Sequence, residues 1–151
     1  MIRLPIALAS VLLLSASAAQ AAPRAWVRDV SLSTGWRWGK PPTKDFVATL
    51  RESVDERLAV CAAGKDLRLD IGIERLNIRQ PGDMRSNTTN FLDVQVKVRL
   101  GSDKSVVDLT RLHVEAQDDG VLAAVRDPEI VLSDALGDAI CHELFPAAPR
   151  P

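Results

Sequence analysis

Residues 91–100 read FLDVQVKVRL, and apolar side chains at every second position of this run alternate with polar ones. A period of two predicts a β-strand with one face buried and the other face in water. The run LRLDIGIERLNI at 67–78 precedes it, the run VVDLTRLHVEAQ at 106–117 follows it, and both also alternate. The three runs therefore predict an antiparallel meander with one dry and one wet sheet face.

Both neighbouring runs change phase. Between Ile73 and Leu76 the apolar side chains move from odd to even positions, which predicts a β-bulge at Glu74 and Arg75. The last run changes phase in the same way after Leu109.

A further strand and a loop lie upstream of the meander. Residues 25–32 predict the first strand, with Trp26, Val30 and Leu32 on one face. The glycines and the proline pair in 33–42 predict a loop.

Two amphipathic helices complete the pattern. Apolar side chains at spacings of three and four predict the first helix from Phe46 to Cys61. Thr43 is predicted as its N-cap, with Asp45 in the first turn, and Ala-Ala-Gly at 62–64 as its end.

The second helix is predicted from leucines and an isoleucine that recur every four residues between Leu132 and Leu144. Asp127 before Pro128 is typical of an N-cap and the first helical position, and Pro146 ends the helix.

The order β-α-β-β-β-α predicts an α+β two-layer sandwich, with a mostly antiparallel four-stranded sheet and both helices on its dry face. The pattern leaves open whether Val121–Val125 form a further strand.

The chain has two cysteines, and the predicted topology brings them together. With four strands, both helices end at the same end of the sheet, so Cys61 lies near Cys141. Exported proteins commonly pair such cysteines, provided that the Cα atoms come within about 7 Å. We therefore expect a disulfide; the alternative is two separate buried thiols.

The N-terminus predicts export. A basic start, an apolar run and a small-x-small site at 19–21 are typical of a cleavable signal peptide over 1–21. The remaining 22–151 would form one α/β domain with an ordered core at about 25–145. Because the first cysteine is Cys61, we expect a periplasmic protein without a lipid anchor.

Composition and motifs exclude several classes of function. The 19 Lys and Arg side chains nearly balance the 20 Asp and Glu, which argues against nucleic-acid binding. No apolar run of about 20 residues follows the signal peptide, so the mature chain has no predicted membrane span. The sequence offers no catalytic motif, metal site or cofactor motif, and His113 is interpreted as a solvated residue near Arg111 and Glu115. We expect a protein that is not an enzyme.

Two loops are candidates for binding a partner. The first packs two Trp and two cations into residues 36–40, and such side chains are enriched at binding hot spots. The second lies within 80–90. The alternatives are that the Trp side chains cap the core and that the second loop is merely solvated. The candidate partner-binding residues are Trp36, Arg37, Trp38, Lys40, Met84 and Arg85.

The element order, the exported start and the polar loop after the second strand resemble a small α/β domain of envelope proteins. That domain is found in the amino-terminal part of TolB, in CsgG and in LptE. Residues 67–79, 91–100 and 106–115 carry the likeness, with the first helix before them. The resemblance implies protein–protein or protein–lipid contacts in envelope assembly or transport, and it transfers no individual functional residue.

These observations favour a periplasmic accessory or adaptor protein that binds an envelope protein partner, with lipid or glycan as a further kind of contact. The alternative is a small-ligand (lipid or glycan) binding protein or a periplasmic inhibitor. Such a protein would need an apolar cavity lined by Leu50, Val54, Val96 or Leu136. A third hypothesis, a small hydrolase, would need a cleft holding Asp and His side chains with perturbed pKa values.

Overall fold

The computed structural model describes residues 23–32, 43–78, 89–116 and 127–146. Their elements follow the predicted order. They are β1 (Trp26–Leu32), α1 (Phe46–Cys61), β2 (Leu67–Asn77), β3 (Asn90–Leu100), β4 (Val106–Ala116) and α2 (Pro128–Leu144).

The strands form one sheet in the order β1-β2-β3-β4. The pairs β2–β3 and β3–β4 are antiparallel, whereas β1 and β2 are parallel because α1 carries the chain back across the sheet. Both helices pack on one face, and the α+β two-layer prediction is confirmed. The residues Val121–Val125 lie outside the described part of the chain.

Register irregularities occur in three strands. In β2 the shift falls between Ile73 and Arg75, as the phase change of the apolar pattern predicted. In β1 the shift lies between Val27 and Asp29. The expectation that Trp26 shares a face with Val30 is therefore wrong, because the extra residue turns Trp26 to the wet face and leaves Val27 in the core.

The phase change in β4 was predicted after Leu109, and this position is also wrong. The register shift lies at the start of the strand, where Val98 pairs with Asp108 and Arg99 pairs with Val106. From Leu109 onward the strand alternates regularly. The apolar pattern misleads because Leu109 points to the wet face and is exposed, like the two valines before it.

The core lies between the dry sheet face and the two helices. Each helix contributes one apolar stripe, and β2 and β3 contribute alternate side chains. The residues with no exposed surface include Phe46, Leu50, Val54, Leu58, Leu69, Ile71, Ile73, Leu92, Val96, Leu132, Leu136 and Ile140.

The start of α2 confirms one predicted cap, and the start of α1 corrects the other. Asp127 accepts a hydrogen bond from the backbone N–H of Glu129, with Pro128 in the first turn. Thr43 does not cap α1, whose N-cap position is Asp45 without a side-chain bond. Instead, the backbone N–H and the hydroxyl of Thr43 both donate to the buried carboxylate of Glu129, which joins the N-terminal ends of the two helices.

The helices approach each other closely at Gly137. A Cβ atom there would lie 2.7 Å from Arg57 Cγ and 3.4 Å from the carbonyl oxygen of Ser53. Near the end of the same interface, Cys61 and Cys141 form a disulfide with a Cα–Cα distance of 5.7 Å. The predicted pairing is confirmed, and with it the prediction that the helices end at the same end of the sheet.

Strand directions define two ends of the molecule. Because β4 is antiparallel to β3, and β3 to β2, the strands β1, β2 and β4 all end at the same sheet end. The disulfide lies at the opposite end, where both helices finish.

Candidate functional site

The sheet face opposite the helices is not covered by any other element of the described chain. The strand register places mostly polar and charged side chains on it. Nothing in the described ranges packs over this face, so its side chains stay available to solvent or to another molecule. From here on it is called the free face.

At the disulfide end of the free face, one carboxylate holds two guanidinium groups. Asp70 on β2 accepts from Arg28 Nε and Nη2 on β1 at 2.7 and 2.9 Å, and from Arg99 Nε on β3 at 2.8 Å. Burial alone would raise the pKa of Asp70. The hydrogen bonds from the two arginines outweigh burial, so this pKa lies below its ordinary value.

At the other end of the free face, His113 lies between two carboxylates. Its Nδ1 contacts Asp93 and its Nε2 contacts Glu115 at 3.0 Å, while Arg75 pairs with the other oxygen of Asp93. The hydrogen bond to Asp93, followed by the one to Glu115, raises the pKa of His113 above its ordinary value. The interpretation of His113 as a plain solvated residue is thus incomplete, and Arg111 pairs instead with Glu74.

This arrangement predicts a pH-dependent stability. Between the unfolded and folded pKa values of His113 the native state binds more protons than the unfolded state, so stability falls as pH rises. Relative to His113→Asn, the wild-type protein should be more stable below about pH 6.5 and should lose that advantage at higher pH. Paired melting curves across this range measure the effect, and a difference that is independent of pH would contradict it.

The first half of β4 forms an exposed apolar strip beside the free face. Val106, Val107 and Leu109 are each about half exposed, at 49 %, 52 % and 54 %. The strand is the outer one of the described sheet, so its outer backbone edge has no paired strand. Three neighbouring exposed apolar side chains on an open edge are typical of a contact surface.

The predicted site residues divide into two groups. Cys61 and Cys141 form the predicted bond. The six candidate partner-binding residues, Trp36, Arg37, Trp38, Lys40, Met84 and Arg85, lie outside the described residues. They remain predictions.

Sequence reasoning missed the arginine pair on Asp70 and the β4 strip. The signal for the first was present as alternating charges on β2 and β3, but the cross-strand register that joins them appears only in the folded sheet. The signal for the strip was present as Val106, Val107 and Leu109, but hydrophobicity alone does not separate an exposed apolar side chain from a buried one.

The residues proposed to line an apolar ligand cavity do not form one. Leu50, Val54, Val96 and Leu136 are fully buried packing residues. A shallow groove that the structure describes lies elsewhere, along the outer side of α1 and beside Lys44. Within the described ranges, no cluster of His, Cys, Asp and Glu has an arrangement that could hold a metal ion. Among the helices described, none combines the length and the apolar character needed to cross a bilayer.

Comparisons with known proteins give structural likeness only. No protein-family model matches the chain, and no curated protein matches it. A candidate lipoprotein from Caulobacter crescentus is 16% identical, with 80% of this chain and 88% of that chain covered and a TM-score of 0.49. A protein from Xanthomonas campestris is 19% identical, with 82% and 87% covered and a TM-score of 0.48.

PelC from Paraburkholderia phytofirmans, solved as a dodecamer, is 10% identical, with 81% of this chain and 89% of that chain covered and a TM-score of 0.47. All three are bacterial proteins, and one is described as a lipoprotein. At these identities and TM-scores the likeness carries no inference about what this chain binds or does.

Proposed function

We propose that this chain is a periplasmic accessory or adaptor protein that binds an envelope protein partner and has no catalytic role of its own. The observation that carries the proposal is the outer edge of β4, which no strand of the described ranges pairs with, and its half-exposed Val106, Val107 and Leu109. Free backbone N–H and C=O groups on an outer strand can pair with a strand of another chain, while apolar side chains there add buried area.

The remainder of the molecule is suited to holding this surface rigid. The disulfide and the Thr43–Glu129 bonds join the two helices at opposite ends, and both helices pack behind the sheet. A sheet edge that is already rigid loses little conformational entropy when a partner binds, which favours binding. The proposal therefore assigns the helical layer to stability and the sheet layer to recognition.

The export signal and the resemblance to the TolB, CsgG and LptE domains also support a role in the envelope. The candidate residues Trp36, Arg37, Trp38, Lys40, Met84 and Arg85 belong to the same proposal as a second contact region. The absence of a lipid anchor stays a prediction; in the described structure, Cys61 is engaged in the disulfide.

Site-specific photo-crosslinking in cells tests the proposal. A photoreactive amino acid replaces Val107 on the β4 edge, and in the control it replaces Val60 on α1, because both side chains are 52 % exposed. We expect position 107 to yield a discrete crosslink to another envelope protein and position 60 to yield none. Equal crosslinking from both positions, or crosslinks only between copies of this chain, would contradict the proposal.

A further inference from the structure

One arginine on the free face has no partner for its charge. The Nε of Arg68 on β2 is buried without a hydrogen-bond partner, and no ion pair to its guanidinium group occurs within the described ranges. Within the described ranges, the guanidinium carbon of Arg68 lies 5.8 Å from the centre of the Trp26 ring on β1, which is a cation–π contact. Buried polar groups are normally paired, so an unpaired guanidinium in a half-buried position calls for an explanation.

The sheet register surrounds Arg68 with further positive charge. Arg99 lies directly opposite it on β3, and Lys97 lies opposite Asp70 one pair further along. Like charges on directly opposed strand positions destabilise a sheet. Asp70 compensates Arg28 and Arg99, but in the described chain neither Arg68 nor Lys97 makes an ion pair.

The charges of this group do not cancel. Four cations, Arg28, Arg68, Lys97 and Arg99, face Asp70 and its cross-strand neighbour Asp29, while the carboxylate of Asp66 lies against Gly101 just after Arg99 and Leu100. The four cations therefore outnumber the three carboxylates by one. The group is called the arginine cluster below. It lies at the disulfide end of the free face, where three hydrogen-bonded strands hold its members in fixed positions, so it differs from lysines scattered over a surface.

We propose that the arginine cluster binds a phosphate group. A phosphate monoester carries between one and a half and two negative charges near pH 7, so it can compensate the positive excess of the cluster. Its oxygens accept paired hydrogen bonds from a planar guanidinium, and Arg68 has donors that no described residue uses.

The phosphate can belong to a free anion or to a lipid headgroup, since both present the same oxygens. Val106 and Leu109 lie beside the cluster, opposite Arg99 and Lys97, and could contact the apolar part of a lipid. The inference does not depend on the proposed function, because it concerns the arginine cluster on β1, β2 and β3 and needs no protein partner.

Two binding measurements on the purified mature protein test the site and separate the two sources. Inorganic phosphate is titrated while backbone amide NMR signals of β1, β2 and β3 are followed. Flotation with phosphatidylcholine vesicles, with and without phosphatidic acid, tests a membrane-borne phosphate. Saturable binding of inorganic phosphate supports a free anion, and binding only to vesicles with phosphatidic acid supports a lipid headgroup.

Arg68→Gln should weaken whichever binding is observed by at least about tenfold, since it removes a charge-assisted donor. Without phosphate this variant should melt no lower than the wild type, because it relieves the opposition to Arg99. Lys97→Gln is the second variant, and Arg51→Gln, an exposed cation on α1, is the control that should bind as the wild type does. Binding to neither probe, or binding unchanged in both cluster variants, overturns the proposal.

Discussion

Replacement of Cys61 and Cys141 together by alanine should lower the free energy of unfolding by about 4 to 5 kcal/mol. The bridge joins residues 80 positions apart, so it removes a large share of the conformations of the unfolded chain. Both cysteines lie near the ends of their helices, where alanine is accommodated without a change in backbone. The loss should therefore reflect the missing bond and not a disturbed core.

Chemical denaturation of the oxidised wild type and of Cys61→Ala/Cys141→Ala measures the difference. The control is the wild type unfolded in the presence of a reductant, which should match the variant. If the double variant lost less than about 1 kcal/mol, the bond would not constrain the unfolded chain as expected.

Leu136→Ala should lower the free energy of unfolding by about 3 kcal/mol, the second large effect that we expect. Leu136 lies on the buried side of α2 with no exposed surface. Truncation removes its apolar contacts and leaves a cavity that the disulfide-linked helices cannot close by sliding together.

Ile130→Ala on the same helix is the matched control, because Ile130 is 49 % exposed. That substitution should change the free energy of unfolding by no more than about 0.5 kcal/mol. Comparable losses in the two variants would mean that α2 does not bury the stripe through Leu136.

The alternating runs predicted the sheet well because one buried face imposes a period of two on each strand. The β2 bulge could also be predicted, because a register shift of one residue moves the apolar side chains from odd to even positions. The disulfide was predicted from the element order together with the export signal. It depends on helix direction, and helix direction follows from the number of strands.

The first half of β4 could not be predicted by the same argument. Val106, Val107 and Leu109 resemble core positions in hydrophobicity, but all three are about half exposed, and the register places Val106 and Leu109 on the face opposite the helices. Hydrophobicity reports that a side chain favours burial; it does not report whether this chain or a partner supplies the covering surface.

Polar contacts between residues far apart in the sequence also could not be predicted. Thr43 and Glu129 are 86 residues apart in the sequence. A threonine shortly before a helix more often caps that helix than donates a hydrogen bond to a distant carboxylate. The arginine cluster depends on which residues face each other across β1, β2 and β3. A β-bulge at Arg28 sets that register, and nothing local in the sequence marks it.

The two layers of the molecule thus differ in what they contribute. The helical layer holds the buried stripes, the close approach at Gly137 and the disulfide. The sheet layer exposes the features that folding alone does not explain: the unpaired charge of Arg68 and the apolar strip of β4. Recognition is therefore expected on the side remote from the helices.

Assignment of the free face requires that both helices cover the same sheet face and end at the same end of the molecule. Peptide mapping of the unreduced mature protein by mass spectrometry, after alkylation under denaturing conditions, addresses this requirement. We expect one cross-linked peptide pair that joins Cys61 to Cys141 and no alkylated cysteine. Two alkylated cysteines without a linked pair would contradict the arrangement, and the assignment of the free face would lose its basis.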